Sequence, residues 1–307
     1  MIFSTYGLCL LGAVAAGLLM MAWLYGKEGA SCRAMGVFAP LALVQGVAGA
    51  RVYAWLFSLL GAAPGGPLFS AEPTLYAMGG AVLGVMGACA LTAKTVKQPL
   101  AQLADCLAPA GMLTVALARC AEVFAEFGGS AVFENGPTLF PLAVQYSDGS
   151  WHMTVFFLEA IFAFAAMAYA MNMRTEKPGE RFALTLSFWG MSQVLCESFR
   201  EHTVTLGFIG VQQIQYMIMA LVFLGFYAKM LAEKPYHKKD ITGMLSWITA
   251  IECVAAIVLM EYAIDHWVLP AALDYLIMAM AVCGVFLSVR LVARKATRNE
   301  DVPWKDR

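Results

Sequence analysis

Hydrophobic positions along this chain do not alternate as strand residues would. They run in long unbroken blocks: about 5–25, 36–60, 75–93, 101–123, 151–171, 182–199, 208–230, 243–264 and 270–293. Each block is close to the roughly 20 apolar residues that a helix needs to cross a bilayer. The pattern therefore predicts an all-α polytopic membrane protein of nine transmembrane helices. Seven of the blocks fall within 1–235 and the last two, followed by a basic tail, within 236–307.

Composition agrees, since 61% of residues are apolar and 13% charged, outside the range of soluble domains. Net charge is −1, which gives no reason to expect a nucleic-acid partner. The placement of charge is more informative. Lys27, Arg33, Lys94, Lys97, Arg174, Lys177, Arg181, Lys229, Lys234, Lys238, Lys239 and the tail fall in alternate connections, whereas the other set (61–74, 124–150, 200–207, 265–269) holds only Arg200. By the positive-inside rule the N-terminus lies outside and the C-terminus in the cytoplasm, as an odd number of spans requires. The first span lacks a basic leader and is followed by Lys27, so it reads as a span and not as a cleaved signal. Eight cysteines lie in or beside apolar blocks with no CxxC pair and no Cys/His cluster, so neither a metal site nor a cofactor is expected.

Charges inside the blocks are the candidates for chemistry, because an ionised side chain near a span's centre costs roughly 2.5–3.5 kcal/mol unless something holds it. Arg119, Glu122 and Glu126 fall at i, i+3 and i+7 near the outer end of the fourth block and share one face if it is helical. Glu159 lies within the fifth block, seven residues after His152. Glu197 and Arg200 close the sixth, with Gln193 one turn earlier, and Arg51 sits in the outer half of the second. Three outward-running spans thus bring Arg51, Arg119 and Arg200 to one depth among acidic residues. Guanidinium forks bind phosphate bidentately, so the cluster suits a phospholipid headgroup; the competing reading is a lattice of ion pairs that only locks helices. Tyr6 is an interface anchor or a headgroup contact. Gly79 and Gly80, after Met78, serve close helix packing or headgroup access. His152 is an interfacial anchor or a base. Asp105, at the opposite end of the fourth block, is expected to be structural.

Taken in order, these pieces resemble the prolipoprotein diacylglyceryl transferases, bacterial membrane enzymes that move diacylglycerol from phosphatidylglycerol to a lipobox cysteine. The similarity spans about 5–230 and rests on Tyr6-Gly7-Leu8, Gly49 to Tyr53, Met78-Gly79-Gly80 where the family has His-Gly-Gly, Asp105 with Pro109, Arg119 to Gly129, His152 to Glu159, Trp189 to Arg200, and Gly210-Val211-Gln212. The resemblance implies a seven-span core in the bacterial cytoplasmic membrane, a membrane phospholipid as donor and a lipoprotein precursor as acceptor. It assigns catalysis to Arg119, Glu126, Glu197 and Arg200, and substrate binding to Tyr6, Arg51, Met78, Gly79, Gly80, Glu122, His152, Glu159 and Gln193. The chain departs from the family pattern where Glu122 and Ala125 replace two Asn, Met78 replaces His and Gln193 replaces Arg. Those changes keep open an alternative: a silent relative that binds lipid or a partner membrane protein.

Overall fold

The computed structural model describes residues 4–27, 32–60, 66–69, 75–125, 129–130, 132, 138–200, 204–233, 241–266 and 270–297. Among these are nine long helices: α1 (Thr5–Lys27), α2 (Cys32–Leu59), α3 (Met78–Val96), α4 (Leu100–Ala121), α5 (Val155–Asn172), α6 (Glu180–Glu197), α7 (Val211–Ala232), α8 (Thr242–His266) and α9 (Ala271–Thr297). Two small hairpins join them, β1 (Ala143–Gln145) with β2 (Trp151–Met153) and β3 (Thr205–Leu206) with β4 (Ile209–Gly210). The chain is an all-α multi-pass membrane protein.

Eight helices are long and apolar enough to span a bilayer, and α6 is the exception to the expected nine. It carries Thr185, Ser187, Ser192, Gln193 and Glu197, and from Ala183 to Glu197 everything except Phe188 and Leu195 is buried. Its neighbours are α4, α5, α7 and α9, so protein, not lipid, surrounds it. A helix shielded in that way is free to be polar, which is why its hydropathy falls short.

The fifth block also differs from expectation at its start. Trp151–Met153 is a strand paired with Ala143–Gln145, turning through Asp148 and Gly149, whose φ of +87° suits glycine. Helix α5 begins only at Val155, so His152 and Glu159 do not share a helical face.

Small residues set the closest helix contact. Along the α2–α3 seam a Cβ on Gly80 would overlap the Gly49 carbonyl and the Tyr53 Cβ, and one on Gly84 would overlap the Gln45 carbonyl. The other member of the pair, Gly79, donates its amide to Gln212 Oε1 (3.1 Å) on α7. Both glycines of the pair therefore serve packing.

Arg51 is buried, and its donors reach the carbonyls of Leu68 (2.9 Å), Leu75 (2.9 Å), Gly66 (3.1 Å) and Pro67. It secures the chain between α2 and α3. At the opposite end of the bundle Asp105 accepts from the amides of Gly179 (2.7 Å) and Phe182 (2.8 Å), satisfying the first turn of α6 from a neighbouring helix. Its structural role is as expected.

The α8–α9 hairpin packs through α9 on α6 and α7, and one hydrophobic cluster runs from Met112 on α4 through Trp189 and Tyr216 to Val289 on α9. A second gathers the ends of α1 to α4 around Met21, Phe38 and Leu103.

Candidate functional site: an ion-pair ring at the head of a lipid-sized cavity

A cavity of about 1360 Å³ opens among α1, α2, α3, α4 and α6. Drug-sized ligands occupy roughly 300–1,000 Å³, so this space suits something larger. Its length is mostly apolar, walled by Leu10, Val14, Leu18, Val47, Val82 and Val115, and its charged residues, Arg119, Glu122, Asp148, Glu197 and Arg200, gather at one end with Tyr6 and His152.

Arg119 stands in the last turn of α4, and a short 3₁₀ turn, Glu122–Phe124, follows. The tighter turn keeps Glu122 beside Arg119 Nη1, with which it pairs. Arg119 Nε lies 2.8 Å from Glu159 Oε2 on α5. From beyond α6, Arg200 sets Nη2 2.8 Å from Glu122 Oε2 and Nη1 3.7 Å from Glu159 Oε1. The four residues close a ring of alternating charge, Arg119–Glu122–Arg200–Glu159; Arg119, Glu122 and Glu159 are buried, Glu159 completely, and the Arg200 side chain is 9% exposed. Two cations facing two anions leave it balanced.

The ring does not use all its valence. Arg119 Nη2 and Arg200 Nε have no hydrogen-bond partner among the described residues, and neither does either oxygen of Glu197, which is 4% exposed. The same holds for Gln193 Nε2, one helical turn before Glu197, and for Trp189 Nε1 and Tyr216 Oη. Buried polar atoms are rarely left without partners, so unspent donors and a bare carboxylate beside a cavity mark a place for a ligand's polar group.

The β1–β2 hairpin covers the polar end. His152 is held on both sides, Nδ1 2.7 Å from the Ser130 carbonyl and Nε2 2.8 Å from Ser150 Oγ, with Tyr146 stacked on its ring at 4.0 Å. Ser150 in turn hydrogen-bonds Asp148 through its hydroxyl and amide, which holds the Asp148 carboxyl below its usual range. Asp148, Ser150 and Tyr146 were not among the candidates from sequence, although the Asp148-Gly149 turn would have signalled the hairpin that gathers them.

Of the residues expected at the site, Arg119, Glu122, Glu159, Arg200 and Glu197 come together, and Tyr6, Met78 and His152 line the same cavity. Arg51 is turned into the α2–α3 loop, Gly79 and Gly80 face helices, and Gln193 lies behind the cavity wall. Glu126 lies outside the described residues.

The family model for prolipoprotein diacylglyceryl transferase matches residues 2–229. This chain belongs to that family. Two similar relatives, both named phosphatidylglycerol–prolipoprotein diacylglyceryl transferase, come from Streptococcus pyogenes serotypes M5 (strain Manfredo) and M49 (strain NZ131). Each is 26% identical over 231 residues, covering 72% of this chain and 87% of the relative. The match ends in the last turn of α7, so α8 and α9 lie beyond the matched part.

Proposed function

We propose that this protein transfers a diacylglyceryl group from a membrane phospholipid to the cysteine thiol of a lipoprotein precursor, at the outer face of the bacterial cytoplasmic membrane. The observation that carries this reading is the pairing of an apolar, lipid-sized cavity with unspent Arg119 and Arg200 donors and the bare Glu197 carboxylate at its head. Acyl chains fill the apolar length, and the phosphate accepts from Arg119 Nη2 and Arg200 Nε.

In the transfer, the thiol sulfur bonds to the terminal glyceryl carbon as that carbon's bond to the phosphate oxygen breaks. The electron pair leaves with the headgroup phosphate, and the two guanidiniums stabilise the charge gathering on it. The thiol proton passes to Glu197, which lines the cavity and whose two oxygens have no hydrogen-bond partner among the described residues. Glu122 and Glu159 hold the guanidiniums at the geometry this requires. Tyr6 and His152, at the cavity's polar end, bound the space left to the headgroup.

The ring's charges cancel, so when Glu197 is ionised its negative charge is offset by no ion pair among the described residues. A headgroup that offers a hydrogen-bond donor as well as phosphate oxygens complements it, whether hydroxyl or ammonium. The test is reconstitution of the full chain in nanodiscs with a phospholipid and a lipobox peptide, followed by mass spectrometry of the peptide. A mass gain of one diacylglyceryl group that disappears with Arg119→Lys supports transfer. Copurified or retained phospholipid without any mass gain from any donor points instead to a lipid-binding relative.

A further inference from the structure

We infer that the α8–α9 hairpin acts as a clamp that fixes the site from behind, with Glu261 and Tyr275 as positioning residues for Glu197 and Arg200. Helix α6 ends at Glu197, and two residues, Ser198 and Phe199, separate it from Arg200. Glu197 and Arg200 line the cavity. The dipeptide between them is gripped by the hairpin.

Ser198 Oγ donates to Glu261 Oε1 on α8 and lies 3.3 Å from Met278 Sδ on α9. The Tyr275 ring stacks on Phe199 with centroids 4.2 Å apart and planes 22° apart, and its hydroxyl sits 3.4 Å from the Ser198 carbonyl. Gln213 ties in the start of α7: its amide nitrogen donates to Glu261 and to the Val194 carbonyl (3.0 Å), while its oxygen accepts from the Gly210 amide (2.7 Å). Glu261 is 7% exposed within a span, a position where a carboxylate is costly unless donors are arranged for it. Here they are arranged around the turn that carries Arg200.

The geometry makes that turn the weak point of the site. Arg200 is no longer helical, yet its two terminal nitrogens must meet Glu122 and Glu159 on two other helices. The last turn of α6 contributes the Phe199 amide to the Cys196 carbonyl (3.0 Å), the Arg200 amide to the Glu197 carbonyl (3.2 Å) and a long bond from the Ser198 hydroxyl to the Val194 carbonyl (3.4 Å). A chain end held so lightly drifts unless something packs behind it, and α8 and α9 supply that packing without reaching the cavity. This hairpin therefore puts a protein wall, in place of lipid, behind a turn that within α1 to α7 is gripped by Gln213, whose amide nitrogen also donates to Ser198 Oγ (3.1 Å).

The experiment uses the full-length protein in nanodiscs, as wild type, Glu261→Ala, Glu261→Gln, Tyr275→Phe and the exposed α8 control Glu252→Gln. Hydrogen exchange of the peptide covering 195–200 reads the turn directly and does not depend on activity. Glu261→Ala is expected to speed exchange of the Phe199 and Arg200 amides about tenfold, the equivalent of about 1.4 kcal/mol for one buried hydrogen-bonded group. Glu261→Gln should restore most of the protection, and Glu252→Gln should match wild type. The kinetic arm rests on the transferase reading: kcat for transfer should fall by between about tenfold and a hundredfold in Glu261→Ala with the acceptor KM unmoved. Exchange at wild-type rate in both Glu261→Ala and Tyr275→Phe overturns the clamp. If Glu261→Ala does not fold, Tyr275→Phe decides, with faster exchange supporting the clamp and the wild-type rate rejecting it. If even the wild type transfers nothing, the functional reading fails while the exchange result still judges the clamp.

Discussion

Arg200 meets Glu122 across 78 residues of sequence, Nη2 to Oε2 at 2.8 Å, and shares that carboxylate with Arg119. The contact joins the end of α6 to the end of α4. One glutamate thus fixes the separation of two guanidiniums, and that separation is what a phosphate with several oxygens would read. Removing one member of a buried charge set leaves the others uncompensated, at a cost of about 3–5 kcal/mol when the pair has no other support. Here each anion retains a second cation, so single losses should be milder for the fold than for the chemistry.

That asymmetry makes Arg119→Lys informative. Lysine keeps the positive charge but lacks the planar fork, so it cannot reach Glu122 and Glu159 and still present a free donor. Transfer should be abolished while the protein remains monodisperse in detergent, with thermal unfolding lowered by no more than a few degrees. If unfolding collapses and residual turnover per folded molecule is unchanged, the ring is a structural lattice and not a headgroup site.

Gly80→Ala should destabilise the α2–α3 seam. Its new methyl would meet the Gly49 carbonyl and Tyr53, both on a helix that cannot retreat without opening the contact. Overpacking of this kind costs about 1–3 kcal/mol. A thermal scan in detergent should show the drop, whereas Gly36→Ala, with open space around its Cβ, should not. Wild-type stability in Gly80→Ala would mean that the two helices are not held as described.

Orientation is testable by single-cysteine labelling in a background lacking the native cysteines. With an impermeant reagent, Asn135→Cys should label on intact cells, and Lys94→Cys and Arg174→Cys only after membranes are opened. The opposite pattern would place the ring at the cytoplasmic face and remove the acceptor from reach.

The block pattern alone was enough to expect an all-α membrane fold, and interior charges alone pointed to Arg119, Glu122, Glu159, Glu197 and Arg200, because a buried charge in a span demands a reason. Partner choice was less legible. Arg51 has the same composition signal as Arg119, yet its partners are backbone carbonyls of a loop, and carbonyls leave no mark in a sequence. Helix α6 misled the hydropathy count for the opposite reason: its surroundings are protein, and only the packing of α4, α5, α7 and α9 reveals that. The hairpin's grip on Ser198 was invisible because Glu261 lies 63 residues away, in a helix whose register against α6 no local pattern encodes.

Headgroup preference is the last consequence of the ring. Where the family pattern has Arg, Gln193 stands one turn before Glu197 on α6, and its amide nitrogen has no partner among the described residues. When ionised, Glu197 is therefore the charge that no ion pair among the described residues offsets, and a purely anionic donor meets two cations already committed to two anions plus this further carboxylate. The unmodified chain is accordingly expected not to replace an authentic diacylglyceryl transferase in a cell depleted of it, and to retain a zwitterionic phospholipid over phosphatidylglycerol in native mass spectrometry from mixed nanodiscs. Gln193→Arg places a guanidinium at i, i+4 from Glu197, the spacing that lets the two pair on one helix face, and so should shift retention toward phosphatidylglycerol. Met78→His adds a hydrogen-bonding group to the cavity wall and should strengthen that shift. Glu122→Asn, by contrast, strips Arg119 and Arg200 of their shared partner. Alone it should lower stability, and it should help an anionic donor only when lipid phosphate is present to take the carboxylate's place. Full complementation by the unmodified chain, or equal retention of the two lipids by wild type and Gln193→Arg, would mean that the balance of charge at the ring does not select the donor.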